Sequence, residues 1–443
     1  MTAFCDLSRE HGFEPLRIEG TLPRELAGTV YRCGPALFSY AGQRYAHPFD
    51  GDGAVTAVEL AHGRARGAVR LVDTPARRAG IAPLPGYGTL ANPSAKRIPH
   101  PMNTANTSVL AWDDRVFALH EASPPTEIDP ATIATLGETD LGLAEIRDGF
   151  SAHPRAVPAR ETWFSAGVRY GAQNTLELFE LRHGAARSAG RIALPGATMI
   201  HDFAATERHL VFFAPPLRLR AAELLAGRIP FGDAFDWCPR FATEIIVVPI
   251  GEPVRTIRID HAPFFAWHVA NAFERGPEII VDFVRYPDFG TNHWLASLLA
   301  DQPCRDVELG TLARATINAA ARTCRIEALA AGTFEYPRAD GTARPHRFVY
   351  GVTHSAAAAQ ARTLHDQIAR IDAQTGASTT FDTSGTPSEP VLIPGGWIAV
   401  LVHGAPSHLA VFDAERIEAG PVARAWFDHA IPLTFHGTWS PAR

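Results

Sequence analysis

Four histidines, each inside a distinct short motif and separated by long stretches of chain, are the residues here best suited to chemistry. They are His153 in SAHPR, His201 in MIHDF, His268 in FFAWHVANAFE and His436 in FHGTW. Neutral imidazole is the commonest metal ligand in proteins. It suits iron, copper, nickel and zinc, so four converging histidines would bind a transition metal whose identity the ligands alone leave open.

Three glutamates in similarly marked contexts would complete such a site. They are Glu121 in LHEASPP, Glu335 in FEYPR and Glu389 in PSEPV. A ligating histidine usually donates its second ring N–H to a carboxylate, which fixes the tautomer and the ring orientation. None of the seven motifs contains a cysteine, which disfavours a structural zinc site.

The spacing of the histidines requires a closed architecture. Successive histidines are 48, 67 and 168 residues apart, whereas local metal motifs such as H-E-x-x-H place their ligands on one helix. Remote segments must therefore meet at one point. In a β-propeller the inner strand of every blade faces the same axial channel, so single histidines from four blades can converge on one ion.

Short apolar runs between turn residues supply the strands for such a fold. Examples are EIIVDFVRY, RFVYGVTH and GWIAVLVHG, each typical of a strand. Many short strands favour a barrel, a sandwich or a propeller, and no internal repeat is visible to choose among them. Helical patterns are limited to 218–226, 293–302 and 354–371, and the last is read equally well as an Ala-rich loop followed by a strand.

The bulk composition excludes several classes of function. The net charge is −6, so no basic surface is available for nucleic acid. The N-terminus lacks the pattern of a secretory signal, and no uncharged apolar run reaches the ~18 residues of a spanning helix. Five scattered cysteines argue against a disulfide framework. We expect a cytoplasmic protein, monomeric by default.

The seven motifs in this order, together with GTVYRCGP near residue 29, resemble the carotenoid cleavage oxygenase family. The resemblance covers almost the whole chain and implies one all-β domain over residues 1–443. The implied fold is a seven-bladed β-propeller with a helical and loop cap over the active-site face. Strand alternation is weakest at about 75–105, 214–240 and 285–310, where we expect the cap segments.

The resemblance also implies the cofactor and the roles of the site residues. Non-haem Fe(II) would be held by the four histidines, with O2 as co-substrate. The implied carboxylate partners are Glu121 for His201, Glu335 for His268 and Glu389 for His436, with none for His153. Thr107 in NTANTSVL matches a threonine that crowds one open position of the metal in this family.

The implied reaction is cleavage of a C=C double bond in an apolar or aromatic alkene to two carbonyl products. Aromatic residues that flank the motifs are the candidates for the substrate pocket: Phe49, Tyr87, Phe203, Phe264, Phe265, Trp267 and Phe435. An apolar mouth and a peripheral membrane contact are predicted in RLRAAELLAGRIPFGDAF, at Leu224, Leu225, Ile229 and Phe231.

Two substrate classes compete within the family. One branch cleaves carotenoids or apocarotenoids, and the other cleaves stilbenes and vinyl- or propenylphenols such as isoeugenol to aromatic aldehydes. In the phenol branch a lysine precedes the first glutamate, but here that residue is His120. The following EASPPTEIDP resembles bacterial apocarotenoid oxygenases, so the sequence favours a polyene. His120, with Tyr87, keeps the phenol alternative open, because an imidazole can accept a proton near neutral pH.

Overall fold

Seven antiparallel sheets arranged around one axis form the body of the protein. The computed structural model describes residues 4–40, 43–78, 103–121, 123–225, 229, 232–302, 304 and 306–442. Within them each sheet is one blade of a propeller, and two further two-stranded hairpins lie outside the blades. The predicted seven-bladed propeller is confirmed.

The strands are short, as the apolar runs predict. In chain order they are β1 (His11–Pro15), β2 (Arg17–Gly20), β3 (Gly28–Leu37), β4 (Ser39–Tyr40), β5 (Gln43–Arg44), β6 (Asp52–Ala61), β7 (Arg64–Leu71), β8 (Ser108–Trp112), β9 (Arg115–Leu119), β10 (Thr126–Ile128), β11 (Thr135–Glu138), β12 (Arg155–Val157), β13 (Thr162–Arg169), β14 (Thr175–Arg182), β15 (Ala185–Ala193), β16 (Phe203–Ala205), β17 (His209–Ala214), β18 (Leu217–Leu219), β19 (Phe235–Trp237), β20 (Thr243–Pro249), β21 (Ile257–His261), β22 (Val269–Arg275), β23 (Glu278–Arg285), β24 (Thr311–Asn318), β25 (Thr323–Ala328), β26 (Glu335–Ala339), β27 (Phe348–Thr353), β28 (Gln367–Asp372), β29 (Ser378–Asp382), β30 (Thr386–Pro387), β31 (Val391–Ile393), β32 (Trp397–His403), β33 (His408–Asp413), β34 (Ala423–Trp426) and β35 (His436–Pro441).

Each blade runs outwards from a strand at the axis. Blade 1 has the order β35-β3-β6-β7-β1, blade 2 β8 to β11, blade 3 β12 to β15, and blade 4 β16-β17-β20-β21. Blade 5 is β22 to β25, blade 6 β26 to β29, and blade 7 begins with β30 and β31 and continues β32-β33-β34-β2. The inner strands contact one another in sequence around the axis, for example β35 with β8 and β16 with β22.

The two ends of the chain close the ring. The C-terminal β35 pairs antiparallel with β3, with His436 opposite Cys33. The N-terminal β2 pairs with β34 as the outer strand of blade 7. These pairings join blades 7 and 1 by backbone hydrogen bonds and carry the last histidine of the sequence to the axis.

Burial follows the position of a strand within its blade. The middle strand β23 has the pattern iBBBBBBi, because both of its faces pack against neighbouring blades. The outer β25 alternates exposed and half-buried residues. Strands buried on both faces are continuous apolar runs, which is why EIIVDFVRY lacks alternation.

The α-helices are few and short: α1 (Pro75–Arg78), α2 (Ala221–Leu225), α3 (Gly290–Leu299) and α4 (Ala356–Ala361). The first three lie in the segments predicted for a cap, although most of 75–105 lies outside the described residues. Residues 354–371 were predicted to form either a helix or a loop followed by a strand. The segment contains a short helix, α4, and then the start of strand β28, so each prediction is right in part. The single-domain boundary and the cap remain predictions. No helix in the described part of the chain is long and apolar enough to span a bilayer.

Candidate metal centre

The start of each inner strand carries one of the residues singled out in the sequence. They are His436 for β35, Thr107 for β8, His153 for β12, His201 for β16, His268 for β22, Glu335 for β26 and Glu389 for β31. All lie within two residues of the strand's first residue. Because the blades repeat one strand order, these positions meet at one end of the axis, although they are far apart in sequence.

The four histidines converge. One nitrogen from each lies within 4.8 Å of the corresponding nitrogen of every other. The Nε2 atoms of His153 and His201 are 3.1 Å apart. His201 and His436 are buried, and His153 and His268 are half-buried. The rings meet edge to face, as in the pair His153 and His436, with centroids 4.5 Å apart.

The structure places three of the four rings on the predicted carboxylates. The Nδ1 to carboxylate oxygen distances are 2.5 Å for His201 and Glu121, 2.5 Å for His268 and Glu335, and 2.9 Å for His436 and Glu389. An Nδ1–H that donates to a carboxylate leaves the Nε2 lone pair free for a metal. Among the described residues, no carboxylate forms a hydrogen bond with His153.

The site fits a transition-metal ion. The Nε2 atom of His268 is buried and has no hydrogen-bond partner in the described part of the chain, and a buried polar atom without a partner is costly. At 3.1 Å, the Nε2 atoms of His153 and His201 repel each other if both are unprotonated and no cation lies between them. A cation bound by the four nitrogens removes both penalties.

The buried carboxylates are held as anions by further donors. Burial alone would raise the pKa of Glu389, but Arg338, His436 and Arg32 outweigh it and hold that pKa below its ordinary value. The Nη2 of Arg338 and the backbone N–H of Gly437 each donate to Glu389 Oε2 over 3.0 Å. The ionised Glu389 carboxylate accepts the proton on His436 Nδ1 in a hydrogen bond. This bond fixes the orientation of the His436 ring.

Glu335 has its own set of donors. The hydroxyl of Tyr286 donates to Oε1, and the backbone N–H of Tyr336 donates to Oε2 over 2.5 Å. Burial would raise the pKa of Glu335, but His268 and Tyr286 outweigh it and lower that pKa. Tyr286 has no motif in the sequence that points to this role.

Arg32 is a supporting residue that the sequence did not assign. It is 1% exposed and donates to the carbonyl oxygens of Glu389 over 2.7 Å and Phe435 over 2.9 Å. Its Nε donates to the hydroxyl of Thr434 over 3.2 Å. Arg32 therefore ties the segment that carries His436 to the segment that carries its carboxylate. The only sequence signal was its position in GTVYRCGP, where the resemblance begins.

An apolar cavity meets the metal centre at His201, His268 and His436. Thr107 also lines it, with its hydroxyl donating to Asn106 Oδ1 over 3.0 Å. Three of the predicted pocket residues line this cavity, together with apolar side chains that the sequence did not single out: Phe49, Trp267 and Phe435, then Trp294, Leu295, Leu309, Phe334, Leu364 and Leu433. The cavity therefore presents apolar side chains to a molecule that lies beside the histidines.

The remaining described candidates do not line this cavity. Phe203 stacks on Phe212, with centroids 5.2 Å apart, in the core of blades 3 and 4. Phe265 is buried behind Trp267, and Phe264 packs against the core of blades 4 and 5. Burial lowers the pKa of His120 to about 4.

The Nδ1 of His120 lies 3.1 Å from the hydroxyl of Ser123, so its ring is neutral near pH 7 and engaged with the protein. Tyr87 and Phe231 lie outside the described residues, as do the side chains of Leu224 and Leu225. Ile229 packs against Ala234. The membrane contact therefore remains a prediction.

The sequence matches the retinal pigment epithelial membrane protein (RPE65) family over residues 4–441. It is 31% identical to apocarotenoid-15,15'-oxygenase of Synechocystis sp., over 96% of this chain and 92% of that protein. It is 27% identical to lignostilbene-alpha,beta-dioxygenase isozyme III of Sphingomonas paucimobilis, over 96% of this chain and 94% of that protein. A crystal structure of cobalt-substituted Synechocystis ACO superposes with a TM-score of 0.87 at 27% identity, covering 99% of this chain and 98% of that one. The chain belongs to the RPE65 and carotenoid cleavage oxygenase family, and it is an oxygenase.

Replacing Glu335 with glutamine should weaken metal binding by roughly 10- to 100-fold and leave the fold intact. The amide oxygen can still accept from His268 and Tyr336, and its NH2 group can donate to the Tyr286 hydroxyl, but the negative charge that polarises the imidazole is lost. Metal affinity should be measured by competition with a chelator. Glu327→Gln, at an exposed glutamate paired with Arg325, is the control, and wild-type affinity in Glu335→Gln would contradict the pairing.

Proposed function

We propose that this chain is an Fe(II)-dependent dioxygenase that cleaves one C=C double bond of a carotenoid or apocarotenoid to two aldehydes. The observation that carries the proposal is an apolar, aromatic-lined cavity that ends on a four-histidine metal centre. An apolar pocket with few polar groups favours a long hydrocarbon, and the histidine centre supplies the reactive end. The name of the 31%-identical Synechocystis relative supports this class of substrate, whereas the name of the Sphingomonas relative supports the stilbene alternative.

Iron and dioxygen are part of this proposal. His153, His201, His268 and His436 would hold the ion, and imidazole ligands suit iron. When bound, Fe(II) would activate dioxygen for reaction with the electron-rich alkene. The reaction R–CH=CH–R′ + O2 → R–CHO + R′–CHO places one oxygen atom in each product and needs no external reductant.

The residues of the chain bind and orient the alkene. Phe49 packs edge to face against Trp267 and Phe435, with centroids 5.8 and 5.6 Å apart, so the three rings form one packed wall of the cavity. The indole N–H of Trp267 donates to Thr291 Oγ1 over 2.8 Å and fixes that ring. Such a wall holds a planar polyene in one orientation and excludes water from the reacting bond.

The phenol branch has less support from the site. A phenol substrate needs a base that faces it, and His120 was the candidate. Its hydrogen bond to Ser123 and its lowered pKa make it a poor acceptor for a phenolic proton, and it does not line the cavity. These observations favour the polyene over the stilbene or propenylphenol.

Product analysis by mass spectrometry under 18O2 tests the proposal. Fe(II)-loaded protein is given apocarotenals, resveratrol, isoeugenol and 4-vinylguaiacol, with chelator-treated protein as the control. Polyene aldehydes carrying one labelled oxygen atom in each fragment are expected. Aromatic aldehydes from the phenols alone would overturn the substrate class, and unlabelled products would overturn the dioxygenase reaction.

A further inference from the structure

A buried histidine without a hydrogen-bond partner faces the substrate cavity away from the metal centre. His365 lies on the loop between α4 and β28 and is 9% exposed. In the described part of the chain no side chain or backbone group hydrogen-bonds to its ring nitrogens. Its polar atoms are not sealed in the core, because His365 lines the cavity. An imidazole in this position can donate or accept a hydrogen bond from a molecule in the cavity.

A second histidine fixes the orientation of this ring. His354 stacks on His365, with centroids 4.1 Å apart and 38° between the planes. Both nitrogens of His354 are engaged, Nδ1 with Thr333 Oγ1 at 2.9 Å and Nε2 with the carbonyl of Thr363 at 3.1 Å. Its Nε2 must carry the proton to donate to that carbonyl, and burial lowers the pKa of His354, which favours the neutral ring. The hydrogen bonds of His354 hold its ring in place, and that ring packs against His365.

His365 also lies where the apolar cavity meets a pocket on the protein surface. An outer pocket on the surface shares Leu364, His365 and Thr386 with the apolar cavity. The outer pocket is lined by the polar side chains of Asp366, Asp382 and Ser384 and by the apolar side chains of Phe4, Leu298 and Ile431. A molecule with a hydrocarbon body and one polar end would place the body in the cavity and the polar end at His365.

One aromatic ring separates His365 from the metal ligands. Tyr336 lies 6.3 Å from His365 and 5.4 and 5.3 Å from His268 and His436, measured between ring centroids. A polar end held at His365 would therefore place a bond only a short way along the chain beside the metal. The hydrogen bond between His365 and the polar end of the substrate would thereby decide which double bond reacts.

We propose that His365 is the specificity residue that hydrogen-bonds an oxygen atom, hydroxyl or carbonyl, at one end of the conjugated substrate. The inference rests on the proposed function and narrows it to oxygenated alkenes. A site that hydrogen-bonds a substrate oxygen discriminates against the analogue that lacks it, because the buried polar group is then left without a partner. The oxygen can belong to an apocarotenoid end or to a phenol, and the test separates the two.

The test compares wild type, His365→Phe and His365→Gln on matched substrates. One pair is a polyene that ends in an aldehyde or alcohol and the same polyene ending in methyl. The other pair is a hydroxystilbene and the stilbene without hydroxyl. Wild type should favour the oxygenated polyene by about tenfold in kcat/KM, mainly through KM. In His365→Phe the two polyenes should differ by less than about threefold, and the products should become mixed in chain length. The amide of His365→Gln should restore part of the preference.

A binding measurement keeps this inference separate from the proposed function. Quenching of tryptophan fluorescence reports ligand at Trp267 and Trp294, which both line the cavity, and it needs no turnover. If no polyene is cleaved but oxygenated polyenes bind in a manner that depends on His365, the proposed function fails and the role of His365 stands. Discrimination only within the stilbene pair assigns the oxygen to a phenol. Equal losses for both members of each pair, or an unchanged preference in His365→Phe, would overturn the role, with His261→Phe on the outer strand β21 as the control.

Discussion

Replacement of His436 with alanine removes tight metal binding and lowers turnover by more than about 100-fold, beyond the 10- to 100-fold effect typical of an outer partner of a ligand. His436 supplies one of four nitrogens that lie within 4.8 Å of one another. It is also the last ligand along the chain and sits on the strand that closes the ring. The backbone pairing of β35 with β3 does not depend on the imidazole, so the fold should persist.

The measurement is metal content after reconstitution with Fe(II), together with the melting temperature. The Glu389 carboxylate loses its histidine but keeps Arg338 and the backbone N–H of Gly437, which limits the loss of stability. His261→Ala is the matched control, because that ring lies on an outer strand, far from the four histidines in the blade order, and contacts a neighbouring carbonyl and the edge of Phe264. Full metal occupancy and normal turnover in His436→Ala would remove His436 from the ligand set.

Replacement of Arg32 with methionine should lower the free energy of unfolding by about 3–5 kcal/mol, the range for breaking a buried charged network. Methionine fills the volume of the aliphatic stem but donates nothing. The carbonyl oxygens of Glu389 and Phe435 then lose their buried donor. The Glu389 carboxylate also loses a cation whose Nη1 lies 3.8 Å away, so metal affinity should fall as well.

Urea unfolding and metal competition measure the two effects. Arg32→Lys should lie between wild type and Arg32→Met, since an ammonium cannot match the fork of donors that serves three acceptors. Arg17→Met, at an exposed arginine over the ring of Trp426, is the control for loss of a surface charge. An unchanged urea midpoint in Arg32→Met would show that the buried network adds nothing to stability.

The ligand set could be predicted because its signal is local. Each histidine and glutamate sits in a motif of a few residues, and the family resemblance of those motifs implies a role for each before any contact is known. The propeller itself needed the family resemblance. Its blades share only the alternation of short strands, so no repeat appears in the sequence, and their number is fixed by how many sheets close a ring.

The pocket was predicted less well, for a physical reason. Phe265, Trp267 and Phe435 lie just before strands, where no fixed period sets the direction of a side chain, so proximity to a motif does not show which side chains reach the cavity. Phe49, Trp267 and Phe435 line it, whereas Phe203 and Phe265 are packed in the core. His120 also lies outside the strands, and its ring turns to Ser123.

The sequence by itself singled out the four histidines and the three glutamates, and its resemblance to the family implied their pairing and the chemistry that follows. Only the tertiary structure decided which residues support them and what the cavity can recognise. Arg32 and Glu389 are 357 residues apart. Tyr286, which follows a strand of blade 5, donates to Glu335 at the start of the neighbouring blade 6. His365 lines the cavity because the loop between α4 and β28 packs there. Such contacts depend on the closure of the ring, and no local pattern of residues encodes them.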